Sequence, residues 1–139
     1  MITEMNPYVS AITLGVRDLD RAKKFYEALG WPVEQDTPYW VSFKMGDGSC
    51  GFGLYPWDAL AADAAVAPES SGFRGFALNY IVPDEDRVAT LLADAERAGG
   101  AIAKPVEKAG WGVSGFFTDP DGYLWKVAAG AGGDQHYAE

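Results

Sequence analysis

The chain has 139 residues, of which 48% are hydrophobic and 14% aromatic, so it can bury the core of one domain. Eleven basic and 20 acidic side chains give a formal net charge of −9, which argues against a nucleic-acid partner because Lys and Arg bind phosphates. With a single cysteine, no membrane-length apolar run and no signal-peptide pattern, we expect a cytoplasmic protein that does not bind membranes.

A short motif occurs twice, 66 residues apart. Residues 16–21 (V-R-D-L-D-R) and residues 82–87 (V-P-D-E-D-R) both match the pattern V-x-D-x-D-R. Each copy follows an apolar or alternating run and precedes apolar residues spaced i, i+3, i+4 and i+7, which is typical of a helix with one buried stripe. The pattern therefore predicts helices at about 19–29 and 84–98.

Residues that cap helices stand at the ends of both predicted helices. Asp18 and Asp84 are placed where an N-cap carboxylate accepts free backbone N–H groups. Gly30 and Gly99 follow the last apolar positions, as glycine often does after a helix. These four residues support the helix boundaries.

One predicted strand precedes each helix and three follow it, so each half is a β-α-β-β-β module and the fold class is α+β. The strands are expected at 9–16, 32–35, 39–45 and 50–55, then at 76–82, 101–106, 113–118 and 123–128. The predicted organisation is a first module with a short helix (7–63), a linker (64–72), a second module (73–129) and a loose C-terminal tail (130–139).

Three segments carry a family resemblance: 14–18, 25–31 and 115–125. Together with the repeat, they resemble the vicinal oxygen chelate superfamily, which contains glyoxalase I, extradiol dioxygenases and bleomycin-resistance proteins. The resemblance spans about residues 7–129. It implies two modules whose curved sheets form a cavity, commonly completed in a homodimer. Whether the modules pair within one chain or swap across the dimer stays open.

The metal-binding positions of this superfamily lie on the first and last strands of each module. Carried over by the resemblance, they are Ala11, Phe52, Ala77 and Lys126. Alanine and phenylalanine have no donor atom, and the lysine ammonium repels a cation. The only histidine is His136, near the C-terminus. We therefore predict that the chain holds no metal and no cofactor.

Small residues at former metal positions leave space, which favours a roomy and mainly apolar pocket. Strand alternation places Leu54 and Leu124 on the pocket face with Phe52 and Lys126. Lys126 either attracts an anionic group or reaches solvent or a carboxylate, and we favour the second interpretation. The predicted ligand-binding residues are Trp40, Phe52, Tyr55, Trp57, Asn79, Trp111 and Lys126.

The favoured function is a metal-free small-molecule-binding protein of the bleomycin-resistance type, a homodimer that sequesters an apolar or aromatic ligand, as in antibiotic resistance. The net negative charge favours neutral or cationic ligands. We identify no catalytic residue. One alternative is a glyoxalase- or dioxygenase-like lyase or isomerase with displaced metal ligands or metal-independent chemistry. Another is a structural or chaperone-like partner of a biosynthetic enzyme.

Overall fold

A computed structural model of the chain describes residues 5, 7–69 and 73–130. The predicted C-terminal tail beyond residue 130, which includes His136, lies outside the described residues, as do residues 70–72 of the predicted linker.

The first module consists of a four-stranded sheet with one helix between its first two strands. The first and last strands are parallel neighbours, as a crossover helix requires, and the other pairs are antiparallel. The sheet order is β1-β4-β3-β2. The elements are β1 (Ala11–Val16), α1 (Leu19–Ala28), β2 (Val33–Thr37), β3 (Trp40–Phe43) and β4 (Gly51–Pro56), followed by α2 (Trp57–Asp63).

The second module repeats this topology, with the sheet order β5-β8-β7-β6. Its helix begins 66 residues after the first helix, which is the spacing of the sequence repeat. The two β-α-β-β-β modules and the α+β class are therefore confirmed. The elements are β5 (Leu78–Ile81), α3 (Glu85–Arg97), β6 (Ala101–Ala109), β7 (Gly112–Thr118) and β8 (Leu124–Gly130).

Both predicted N-caps are confirmed. The Asp18 carboxylate accepts the backbone N–H of Arg21 at 3.0 Å, and the Asp84 carboxylate accepts that of Asp86 at 3.0 Å. The glycines after both helices have positive φ angles, 103° for Gly30 and 114° for Gly99. Only glycine adopts this backbone conformation at little cost, so the helix ends follow directly from the sequence.

One hydrophobic core joins the two modules within the chain. Tyr26 of α1 packs against Phe52 of the first sheet, with ring centroids 5.3 Å apart, and against Trp125 of the second sheet, at 6.2 Å. Phe25, on the same helix, lies 6.2 Å from Phe117 of β7. Each sheet thus turns one face towards a shared core, and we call its opposite face the outer face.

Phe52 and Leu54 lie in this core, with 4% and 0% of their surface exposed, so they are not on the same face of the first sheet as Ala11, where alternation was expected to place them. The strand register shows the cause. Ile12 pairs with Phe52, whereas Asn79 pairs with Lys126. The first-module counterpart of Lys126 is therefore Gly53, which lies five residues after the turn glycine Gly48, whereas Lys126 lies four residues after Gly122. A slip of one residue moves a side chain to the other face of a sheet.

None of the helices in the described part of the chain combines the length and the apolar character needed to cross a membrane.

Candidate functional site

A groove of about 570 Å³ lies between the modules, beside the edge strand β5. This volume is in the range of small-molecule pockets in proteins. Aromatic side chains form its walls, and short polar side chains from the segment between β3 and β4 form much of its rim. The lining residues that matter here are Trp31, Phe52, Tyr80 and Trp125 on the walls, and Lys44, Asp47, Ser49, Cys50, Ala77 and Asn79 around them.

The outer face of the second sheet adjoins this groove through Asn79, which belongs to both. Asn79 of β5 is the neighbour of Lys126 on β8, and Lys126 is the neighbour of Phe116 on β7. The Lys126 ammonium lies 5.2 Å from the centre of the Trp111 ring and 6.0 Å from that of Phe116. Trp111 is 48% exposed, so this face offers a positive charge next to an accessible indole ring.

The outer face of the first sheet carries a different pair of rings. Trp40 of β3 and Tyr55 of β4 meet at 6.3 Å in an edge-to-face arrangement. The Trp40 indole N–H donates to Gln35 at 2.9 Å. A Cβ atom at Gly53 would lie 2.2 Å from the Trp40 ring, so glycine at this position makes room for the indole. The result is an aromatic surface without a charged group at its centre.

Trp57 lies at the junction of the modules rather than in the groove. Its ring stacks under the Arg17 guanidinium at 4.1 Å and the Arg74 guanidinium at 5.0 Å. The Asp121 carboxylate, from the β7–β8 turn, accepts the backbone N–H of Arg17 at 2.8 Å and pairs with the Arg21 guanidinium at 3.2 Å. This arrangement holds the start of α1 against the second module.

A buried polar network crosses the core beside the groove. The Tyr26 hydroxyl donates to Asp119 at 2.7 Å and accepts the indole N–H of Trp125 at 3.2 Å. Asp119 also accepts the backbone N–H groups of Asp121 and Tyr123, at 3.0 Å and 2.9 Å. Burial raises the pKa of Asp119, and burial and the nearby Asp119 charge raise the pKa of Tyr26 well above its usual value. The phenol therefore stays protonated and acts as the donor.

The predicted site residues fall into four separate places. Asn79 and Phe52 line the groove, although Phe52 does so from the core. Trp40 and Tyr55 form the first outer face, and Trp111 and Lys126 belong to the second. Trp57 is at the module junction. Sequence reasoning missed Trp31, Tyr80 and Trp125 as groove residues. Strand alternation assigns Tyr80 and Trp125 to the core, and the place of Trp31 after the first helix favours a core or dimer contact.

The positions at which the resemblance implies metal ligands do not fit a divalent metal. With the register corrected, they are Ala11, Gly53, Ala77 and Lys126. Three of these side chains have no donor atom and the fourth is a cation, whereas such metals require imidazole, thiolate or carboxylate ligands. Across residues 5, 7–69 and 73–130, no group of three or more His, Cys, Asp or Glu side chains is arranged to hold a metal.

Similar proteins were found among solved structures, whereas no curated protein sequence matches the chain. A glyoxalase-related enzyme from Fulvimarina pelagi is 29% identical, with 94% of this chain and 96% of that chain covered and a TM-score of 0.81. A glyoxalase/bleomycin resistance protein/dioxygenase family enzyme from Burkholderia phytofirmans is 20% identical, with coverage of 88% and 98% and a TM-score of 0.75.

A lactoylglutathione lyase from Agrobacterium tumefaciens is 21% identical, with coverage of 91% and 96% and a TM-score of 0.65. At this identity the likeness shows the fold alone. The family model for the Glyoxalase/Bleomycin resistance protein/Dioxygenase superfamily matches residues 8–127. The repeated modules and their shared core agree with this match. Because the match spans most of the sequence, the chain belongs to that superfamily.

Proposed function

We propose that this protein binds an apolar or aromatic small molecule in the groove between its modules, without a metal ion. The composition of the groove is the main support for this proposal, because small-molecule sites usually have aromatic walls and a few polar groups. The side chains at the superfamily's metal positions support binding without a metal, since they offer no donor set. Sequestration of a toxic compound, as in antibiotic resistance, is one use of such a site.

Ligand binding should raise the melting temperature, because a molecule that binds only the folded state stabilises it. At a hundredfold excess over Kd the gain is about 2.7 kcal/mol, which corresponds to a rise of about 8 °C for a chain of this size. A thermal-shift screen of planar aromatic compounds and antibiotics, read together with quenching of tryptophan fluorescence, measures this. The same thermal-shift measurement on Trp111→Ala and Trp40→Ala shows which outer face contributes to ligand binding.

A matched pair of variants locates the site. Ala77 lines the groove, whereas Ala89 is exposed on α3. Ala77→Leu should fill groove space and abolish the thermal shift, and Ala89→Leu should leave it unchanged. If no compound binds, or if both leucine variants bind as the parent does, the proposed groove site is wrong.

The alternative function is a lyase or isomerase of the same superfamily. It gains support if the purified protein retains stoichiometric zinc, nickel or iron against a weak chelator, because displaced ligands would then have to hold the metal. We expect well under one transition metal per chain after dialysis, as measured by elemental analysis.

The protein is also proposed to form a homodimer. Phe73 and Tyr8 are 74% and 78% exposed, and a partner surface covering them would remove this apolar area from water. Light scattering at micromolar concentration should give about twice the molar mass of one chain. Phe73→Asp should shift the protein towards monomer, whereas Thr90→Asp, at an exposed position of α3, should not. A monomer throughout this concentration range contradicts the proposal.

A further inference from the structure

We infer that the second outer face binds a carboxylate or another oxyanion of the ligand through Lys126 and Asn79, with Trp111 stacking on the flat part of the same molecule. This inference rests on the proposed function, because it names the chemical class of the ligand that the groove and this face take together.

The ammonium of Lys126 has no ion-pair partner in the described part of the chain. Among the residues that the structure describes, no carboxylate lies within ion-pair distance of its ammonium. The ammonium lies 5.2 Å from the centre of the Trp111 ring and 6.0 Å from that of Phe116. A half-buried cation beside aromatic rings has lost part of its hydration and gains from an anionic ligand.

The neighbours across the sheet add a donor and no competing acid. The row of paired residues runs from Lys104 through Phe116 and Lys126 to Asn79. Lys104 pairs with Glu107 at 3.0 Å, whereas no described carboxylate pairs with Lys126. The Asn79 amide makes a long contact to the Ala77 carbonyl, at 3.4 Å, and its exposed side chain has a further N–H group to donate.

The sign of this local charge opposes the net charge of −9. Exposed charges are screened over about 8 Å at physiological ionic strength, so a contacting ammonium outweighs carboxylates farther away. The whole-chain charge predicts a neutral or cationic ligand, whereas Lys126 and Asn79 on the second outer face favour an anionic group at their end of the ligand. The contact interaction is the stronger of the two, and the inferred ligand is therefore an aromatic or conjugated anion.

Three compounds of one shape and different charge test this inference: 2-naphthoate, 2-naphthylmethanol and 2-naphthylmethylammonium. Calorimetric titration should show naphthoate binding at least about tenfold more tightly than the other two, as a charge-assisted hydrogen bond provides. Lys126→Met should weaken naphthoate binding about tenfold and should leave the affinity for the alcohol within about twofold of that of the parent protein. Lys126→Arg should retain most of the preference.

A control variant separates contact from long-range charge. Lys24→Met removes the same charge from the exposed surface of α1 and should leave all three affinities unchanged. The inference is overturned if the alcohol or the ammonium binds as tightly as naphthoate, or if Lys126→Met does not weaken naphthoate. In those cases the protein still binds a ligand and only its charge class is wrong. If none of the three binds, both this inference and the proposed function fail for planar aromatics.

Discussion

Replacing Asp119 with alanine should lower the free energy of unfolding by about 4 kcal/mol, because three buried donors lose their acceptor together. These donors are the Tyr26 hydroxyl and the backbone N–H groups of Asp121 and Tyr123. The carboxylate links the helix of one module to the last hairpin of the other, so its loss weakens the contact between modules. Urea denaturation at neutral pH measures the change.

Asp119→Asn is the matched control, because it keeps the shape and one acceptor oxygen. The loss should be smaller, about 1–2 kcal/mol, since the amide can still accept the two backbone N–H groups but no longer accepts from Tyr26. An Asp119→Ala protein within about 1 kcal/mol of the parent would contradict the role assigned to the network.

The same pair of proteins has a defined pH dependence. Burial raises the pKa of Asp119 above its ordinary value of 3.8. The folded state therefore binds this proton more strongly than the unfolded state does. The resulting stability is complete below the unfolded pKa and is lost as the pH rises through the folded pKa. Because asparagine does not ionise, the difference in free energy of unfolding between the parent and Asp119→Asn should shrink as the pH is raised from about 4 towards 7.

Gly112→Ala should cost about 3 kcal/mol, as the sum of backbone strain and a steric overlap. Gly112 has a φ angle of 151°, and a Cβ atom there would lie 2.3 Å from the carbonyl oxygen of Ala129. Both contacting strands would have to move, because the obstructing atom belongs to the backbone of β8. Thermal or urea unfolding measures the loss.

Gly110 lies in the same hairpin and provides the comparison. A Cβ atom at Gly110 meets nothing within 4 Å, so Gly110→Ala should leave stability within about 0.5 kcal/mol of the parent. Equal stability of the two alanine variants would show that β7 and β8 separate at little cost. Since Trp111 stands between these glycines, naphthoate affinity should fall in Gly112→Ala and persist in Gly110→Ala.

Much of the fold follows from patterns that are local in the sequence. The 66-residue repeat, the carboxylates before each helix and the glycines after it predict both modules. Alternation along β5 and β8 also places Asn79 and Lys126 on one face, and their register pairs them directly. Helix caps, helical spacing and strand alternation each depend on residues close in the chain, which is why the structure agrees with them.

The candidate site was less predictable because it depends on turn length and on contacts between modules. Phe52 was assigned to the wrong face of its sheet because the distance from the turn glycine to the equivalent strand position is one residue longer in the first module than in the second. Asp119 reads in the sequence as part of a turn, and nothing nearby indicates that its partner is Tyr26, 93 residues earlier. The groove lies between two modules, so its walls become visible only once their packing is known.

The contacts that join the modules also set an order of events during synthesis. The Tyr26 hydroxyl, the carbonyl of Gly15 and the backbone N–H of Arg17 find their partners 93, 108 and 104 residues later. At about 5–20 residues per second, roughly 5–20 s pass on the ribosome before those partners are made. During that interval the apolar face of α1 lacks its partners from the second module, Phe117 and Trp125. Exposed apolar surface of this kind promotes aggregation, so we expect the nascent first module to be most prone to it until the last hairpin emerges.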